Sequence, residues 1–189
     1  MSKNGIDFIY AQTNDAFGEI ETKNLKKNCT EIIGSWNERF FYAEEDIAAY
    51  INFAEKNYKK IFLAGHSLGA NKVIYYLSKN PDAKIEKFLL LSPANLTYMM
   101  SDVTENEKNI IKKYVDYGQG EKILHTGMLV IGTLDNFTCG NPEDFLENIN
   151  KHFRTKNELF FIEKTGHTYQ QKEQEIAEII LKYLQKNLR

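Results

Sequence analysis

The chain has 189 residues, 42% of them hydrophobic and 26% charged, with a formal net charge of −2. This composition suits a single folded core, is that of an ordinary globular protein rather than a disordered one, and offers no basic surplus for nucleic acid. No apolar run reaches a membrane span, Met1-Ser2-Lys3-Asn4 does not open a signal peptide, and Cys29 and Cys139 lack metal-ligand or disulfide-framework spacing. The expectation is a cytoplasmic chain with two free thiols, off the membrane and without metal or cofactor; nothing in the sequence sets its oligomeric state.

Taken in order, residues 6–11 are a short apolar run after Gly5 that reads as a buried strand. Residues 12–40 have no sustained period and carry Asn14, Asp15, Gly18 and Gly34, so they read as a long loop bordering a site. From Phe41 the pattern is helical, with Ile47, Tyr50, Ile51 and Ala54 on one face. Glu44, Glu45 and Asp46 fall in its first turn, where the macrodipole favours negative charge.

The apolar run 60–64 ends in Gly65-His66-Ser67-Leu68-Gly69, and a helical pattern follows through Val73, Ile74, Tyr76 and Leu77. That is strand, tight turn, helix, with a serine at the tip. Strained backbone and an exposed hydroxyl are expected of Ser67, with the flanking glycines leaving room where side chains would clash. The Leu68 amide, at the helix start, points towards any oxygen that becomes negative beside Ser67.

That helix stops at Asn80-Pro81, and 85–91 form the next strand, closed by Ser92-Pro93. Thr104-Glu105-Asn106-Glu107 fits a capping box ahead of Ile110, Ile111, Tyr114 and Val115. Residues 128–132 are a strand followed by the polar turn Thr133-Leu134-Asp135-Asn136. Asn141-Pro142-Glu143-Asp144 opens a capped helix. Residues 159–162 are the last strand, Thr165-Gly166-His167 comes directly after, and a helix with Ile176, Ile179, Ile180, Tyr183 and Leu184 on one side closes the chain. There is no repeat or linker, so 1–189 reads as one domain.

Alternating strands and helices predict an α/β fold, a mostly parallel sheet covered on both faces. Ligands bind such sheets outside the carboxyl ends of the strands. Three strands end there in residues with acyl-transfer chemistry: Ser67, Asp135 and His167. A serine hydroxyl needs a base to take its proton as it attacks, and a neutral imidazole can do so near pH 7. A carboxylate on the far ring nitrogen fixes the tautomer and stabilises the imidazolium.

Four histidines compete for the role of base. His66 is directed away from its neighbour's hydroxyl, His125 precedes a strand at its amino end, and His152 falls within a helix. His167 follows a strand's carboxyl end in a small-residue loop and is the candidate. Asp135 is the acid candidate; Glu143 and Asp144 are accounted for by helix capping, and Glu163 lies at a strand end with its face unassigned.

From about Gly5 to Leu188 the chain resembles the α/β-hydrolases. Gly65-His66-Ser67-Leu68-Gly69 matches the nucleophile elbow, Gly132-Thr133-Leu134-Asp135 the acid turn and Thr165-Gly166-His167 the histidine loop, in the family's chain order. The resemblance implies a serine hydrolase that forms an acyl-enzyme on Ser67 from a small ester, thioester or amide. His167 would be the base, Asp135 the orienting acid and the Leu68 amide an oxyanion donor. Tyr98, Met99 and Met100, in a short insert around 94–122, fall where the family places a cap.

The chain departs from the family at its beginning. Family members carry strands before the one placed at Ile6, one of them leading into the loop that donates the second oxyanion amide. Either the chain is a fragment needing a partner or, as expected here, the sheet is shortened to about five parallel strands, with 6–11 moved inward to pair with 60–64. An amide from residues 12–18 could replace the lost donor. The competing reading is a non-catalytic or weakly active protein of this fold that binds a ligand or partner. No G-x-G-x-x-G or Walker-type loop supports a nucleotide-binding domain.

Overall fold

The computed structural model describes residues 5–10, 20–26, 29–34, 43–95 and 117–188. Four strands, β3 (Phe62–His66), β4 (Lys87–Leu91), β5 (Gly127–Gly132) and β6 (Glu158–Ile162), form a parallel sheet in the order β3-β4-β5-β6. Each neighbouring pair is in continuous register, as in Phe62 with Lys87 and Met128 with Glu158. Helices α1 (Ala43–Glu55), α2 (Leu68–Lys79), α3 (Pro142–Lys151) and α4 (Glu173–Leu188) alternate with them.

The period of two in the strands divides the core into two layers. Phe88, Leu90, Leu129 and Ile131 pack against Ile47, Ile51, Val73, Ile74, Leu77, Leu146 and Ile149 of α1, α2 and α3. Their alternates Leu89, Met128 and Val130 pack against Ile176, Tyr183 and Leu184 of α4. Both faces of the sheet are thus covered, and β4 and β5 read as unbroken apolar runs because neither face meets water. Burial raises the Tyr183 phenol to about 12.

The local signals hold where they were strong. Glu44, Glu45 and Asp46 occupy the first turn of α1, and Glu44 also pairs with Lys79 at 2.7 Å. Asn141 caps α3 by accepting the Asp144 amide at 2.9 Å, with Pro142 just inside.

Three expectations require correction. Residues 6–10 are not a strand: they carry no regular structure, and Phe8 and Tyr10 are 82% and 79% exposed. Ile6 packs on the α4-side core and Asp7 accepts from the Tyr58 hydroxyl at 3.1 Å. Ile9 is exposed as well, and Ala11 lies outside the described residues. Strand β3 accordingly pairs with β4 alone among the described residues, and the parallel sheet has four strands there rather than five. The stretch read as a long loop instead holds an antiparallel hairpin, β1 (Ile20–Lys26) with β2 (Cys29–Gly34). Finally, Cys139 is disulfide-bonded, against the expectation of free thiols. The capping box at 104–107, Tyr98, Met99, Met100 and most of the cap-like insert lie outside the described residues; the helix pattern there is followed by a 3₁₀ turn over Tyr117–Lys122. No described helix is long and apolar enough to cross a membrane.

Candidate active site

Ser67 sits between the end of β3 and the start of α2 with φ 55° and ψ −127°, a conformation disfavoured for any residue with a Cβ. Its amide donates to the Leu91 carbonyl at 2.9 Å, tying the turn to the end of β4. Gly65 permits the tight passage from strand to helix: a Cβ there would run into the Gly69 carbonyl and the Ala70 amide. Gly69 has open space around it, so only one of the two flanking glycines is needed sterically. The Leu68 amide heads a 12-residue helix, where no carbonyl of the preceding turn exists to receive it. It is therefore available, with the positive end of the helix behind it, to an anion beside Ser67.

Asp135 lies in the turn after β5. Its side chain is fully buried and accepts the Phe137 amide at 2.9 Å, while its own amide returns to the Gly132 carbonyl. His167 lies in the loop after β6. That loop is fixed to the Asp135 turn by the Leu134 amide donating to the Thr165 carbonyl at 2.9 Å and the Lys164 amide to Thr133 Oγ1 at 3.1 Å.

These placements bring the three residues together. His167 Nε2 is 2.7 Å from Ser67 Oγ, and His167 Nδ1 is 2.9 Å from Asp135 Oδ2. With the carboxylate accepting at Nδ1, the ring carries its proton there and presents the Nε2 lone pair to the serine. The imidazole is 11% exposed, open enough for a substrate to reach and dry enough to strengthen the polar contacts.

The other histidines are placed elsewhere. His125 Nε2 meets the Ala83 carbonyl at 2.8 Å, near the amino end of β5. His152 caps the end of α3 rather than lying within it. Glu143 and Asp144 are in the first turn of α3, as their capping role requires.

Several residues that sequence reasoning passed over support the site. Tyr169, two positions after His167, is buried; its hydroxyl accepts from Ser92 Oγ at 2.9 Å and donates to the Val130 carbonyl at 3.1 Å. Burial drives that phenol well above the usual tyrosine range. The Phe137 ring lies 4.2 Å from the His167 ring. His66 also contacts the His167 loop. Among the described residues, the non-glycine positions with positive φ are Ser67, Ser92, Cys139, Lys164, Tyr169 and Gln171, all in loops beyond the carboxyl ends of β3 to β6. Backbone strain of this kind gathers where a site over-determines its surroundings. Asn71 holds the loop after β4 with a paired amide contact, Oδ1 to the Ala94 amide and Nδ2 to the Ala94 carbonyl, both 3.0 Å.

Among the described residues, no cluster of His, Cys, Asp or Glu could hold a metal ion. No protein-family model and no curated protein matches the chain. Solved structures do. It is similar to Est1E from Butyrivibrio proteoclasticus (18% identity, TM-score 0.65, 79% of this chain and 70% of that one). It is also similar to a monoacylglycerol lipase from Paleococcus ferrophilus (18% identity, TM-score 0.58, 78% and 76%) and to a thermophilic esterase (17%, TM-score 0.53, 77% and 73%).

Proposed function

We propose that this chain, which has the α/β-hydrolase fold, is a serine hydrolase acting on a small carboxylic ester, with thioesters and amides as chemically related substrates. The observation that carries the reading is the continuous hydrogen-bonded path Ser67 Oγ, His167 Nε2, His167 Nδ1, Asp135. The esterase and lipase descriptions of the similar structures support it.

In this reading Ser67 Oγ attacks the substrate carbonyl carbon while His167 Nε2 takes the hydroxyl proton. The carbonyl oxygen becomes an oxyanion facing the Leu68 amide. Collapse expels the alcohol, which receives the proton from His167, and leaves the acyl group on Ser67. Water, deprotonated by the same imidazole, then attacks the ester, and Ser67 leaves with the proton returned. Asp135 keeps its charge throughout and stabilises the imidazolium formed in each half-reaction. Leu68 supplies one oxyanion donor. Loss of one donor of a pair costs roughly two to three powers of ten in rate, so a slow enzyme is compatible with this mechanism.

The disulfide at Cys139 favours an oxidising compartment over the cytoplasm expected from the sequence, because cytosolic thiols are kept reduced. In this reading the substrate is a small molecule and residues 1–189 act as one domain.

The test is covalent labelling with a fluorophosphonate probe, alongside hydrolysis of p-nitrophenyl acetate. Stoichiometric labelling at Ser67, and loss of both labelling and turnover in Ser67→Ala, is the expected result. Turnover unaltered in Ser67→Ala removes the proposal, and a chain that neither labels nor turns over is the non-catalytic protein of the competing reading.

A further inference from the structure

The sheet order places β3 and β6 at opposite edges, with β4 and β5 between them. Ser67 follows β3 and His167 follows β6, so the histidine loop must arch across the ends of two strands to reach the serine. Among the described residues, its other ties to the sheet run to the middle: Thr165 to Leu134, Lys164 to Thr133, His167 to Asp135, and Tyr169 to Val130 and Ser92. None of these reaches β3. One side chain on β3 does: His66 Nε2 is 2.8 Å from the main-chain carbonyl oxygen of His167.

We infer that His66 is a positioning residue for the reaction proposed above, holding the His167 backbone over the elbow so that the imidazole meets Ser67 Oγ. The inference rests on the serine-hydrolase reading and adds a residue outside the Ser67–His167–Asp135 path. A ring nitrogen facing a carbonyl must carry the proton, so the bond fixes the His66 tautomer as Nε2–H. The ring centroids of His66 and His167 are 5.1 Å apart and tilted by 49°, while Phe137 lies 4.2 Å from His167. The imidazole thus has two ring neighbours, and its own carbonyl is held by one of them. Because His66 ends β3 and Ser67 is the next residue, the His66 contact refers the position of His167 to the same segment that carries Ser67. His66 remains partly open to solvent, and the desolvation it does undergo is the main cause that lowers its pKa from the ordinary imidazole value.

The experiment compares two amide replacements in the full chain, with p-nitrophenyl acetate as substrate and wild type and Ser67→Ala measured beside them. In His66→Gln the amide nitrogen can occupy the place of Nε2. In His66→Asn the amide is of the same chemistry but falls short of the carbonyl. The Asn variant is expected to lose kcat by about ten- to a hundredfold, as a small misplacement of a reacting group does, with KM within about twofold. The Gln variant is expected to recover most of that loss. Equal kcat in wild type and His66→Asn, or equal impairment of the two variants, overturns the positioning role while Ser67-dependent turnover in wild type leaves the hydrolase reading standing. Absence of Ser67-dependent turnover in wild type overturns both. If His66→Asn does not fold, His66→Leu replaces it as the variant without a donor, and the same comparison with His66→Gln decides.

Discussion

Asp135 presents both carboxylate oxygens to a single nitrogen of His167, Nδ1, at 3.0 and 2.9 Å, from a side chain with no solvent exposure. Substituting Asn keeps the shape but lets the amide donate to Nδ1, which moves the ring proton to Nε2 and removes the base from Ser67. Asp135→Asn is expected to lower kcat/KM by about 10³- to 10⁴-fold with the fold intact. Steady-state kinetics beside circular dichroism check this, and near-normal turnover would assign the acid elsewhere.

The two glycines of the elbow are expected to separate in their effects. In Gly65→Ala the new methyl meets main-chain atoms of Gly69 and Ala70, which cannot move without displacing α2. The variant should lose about 3 kcal/mol or more, at the upper end of overpacking. Gly69→Ala meets nothing and lies inside a helix, where alanine is favoured by up to about 1 kcal/mol. Urea denaturation of both variants measures the contrast; equal stabilities would contradict the packing described for the elbow.

Tyr169 has a buried hydroxyl that is both acceptor and donor. Tyr169→Phe leaves the Ser92 hydroxyl without its acceptor and costs about 1–3 kcal/mol. Because Tyr169 anchors the loop two residues from His167, kcat should fall as well. Chemical denaturation and kinetics on one preparation test both effects, and a variant with wild-type stability would show that the hydroxyl contributes nothing net.

Stability should depend on pH through His66. Desolvation is the main cause of its lowered pKa; the carbonyl bond from His167 opposes it, the His167 charge adds to it, and Asp135 opposes it again. A folded-state value below the ordinary 6.5 means that the unfolded chain binds the proton more readily. The contribution of neutral His66 is therefore complete above pH 6.5 and is lost as pH falls through the lowered folded-state value. Melting temperatures of wild type and His66→Gln should diverge below that pH, with wild type losing more. Parallel curves would mean that the two states of the chain bind the proton equally.

What could be read from the linear sequence was whatever depends on neighbours in the chain. Gly-His-Ser-Leu-Gly between an apolar run and a helical period is a local steric statement, and it placed Ser67 at φ 55° at the head of α2. The capped start of α3 and the acidic start of α1 are likewise short-range electrostatics and hydrogen bonding. Chain order and strand ends then pointed to Asp135 and His167, which meet as expected.

The remaining features were decided by contacts between distant segments. The run at 6–10 has the apolar content of a strand, yet among the described residues it pairs with no strand and Phe8 and Tyr10 stay exposed. The hairpin of β1 and β2 was illegible because its alternation is weak and its pairing is made between two separate segments. Phe137 and Tyr169 look unremarkable in sequence, and His66 could be weighed there only as a base; their contacts arise because a parallel sheet brings the ends of β3, β5 and β6 to one edge. Local propensity names the residue that can react, and only the folded sheet selects the residues that hold it in place.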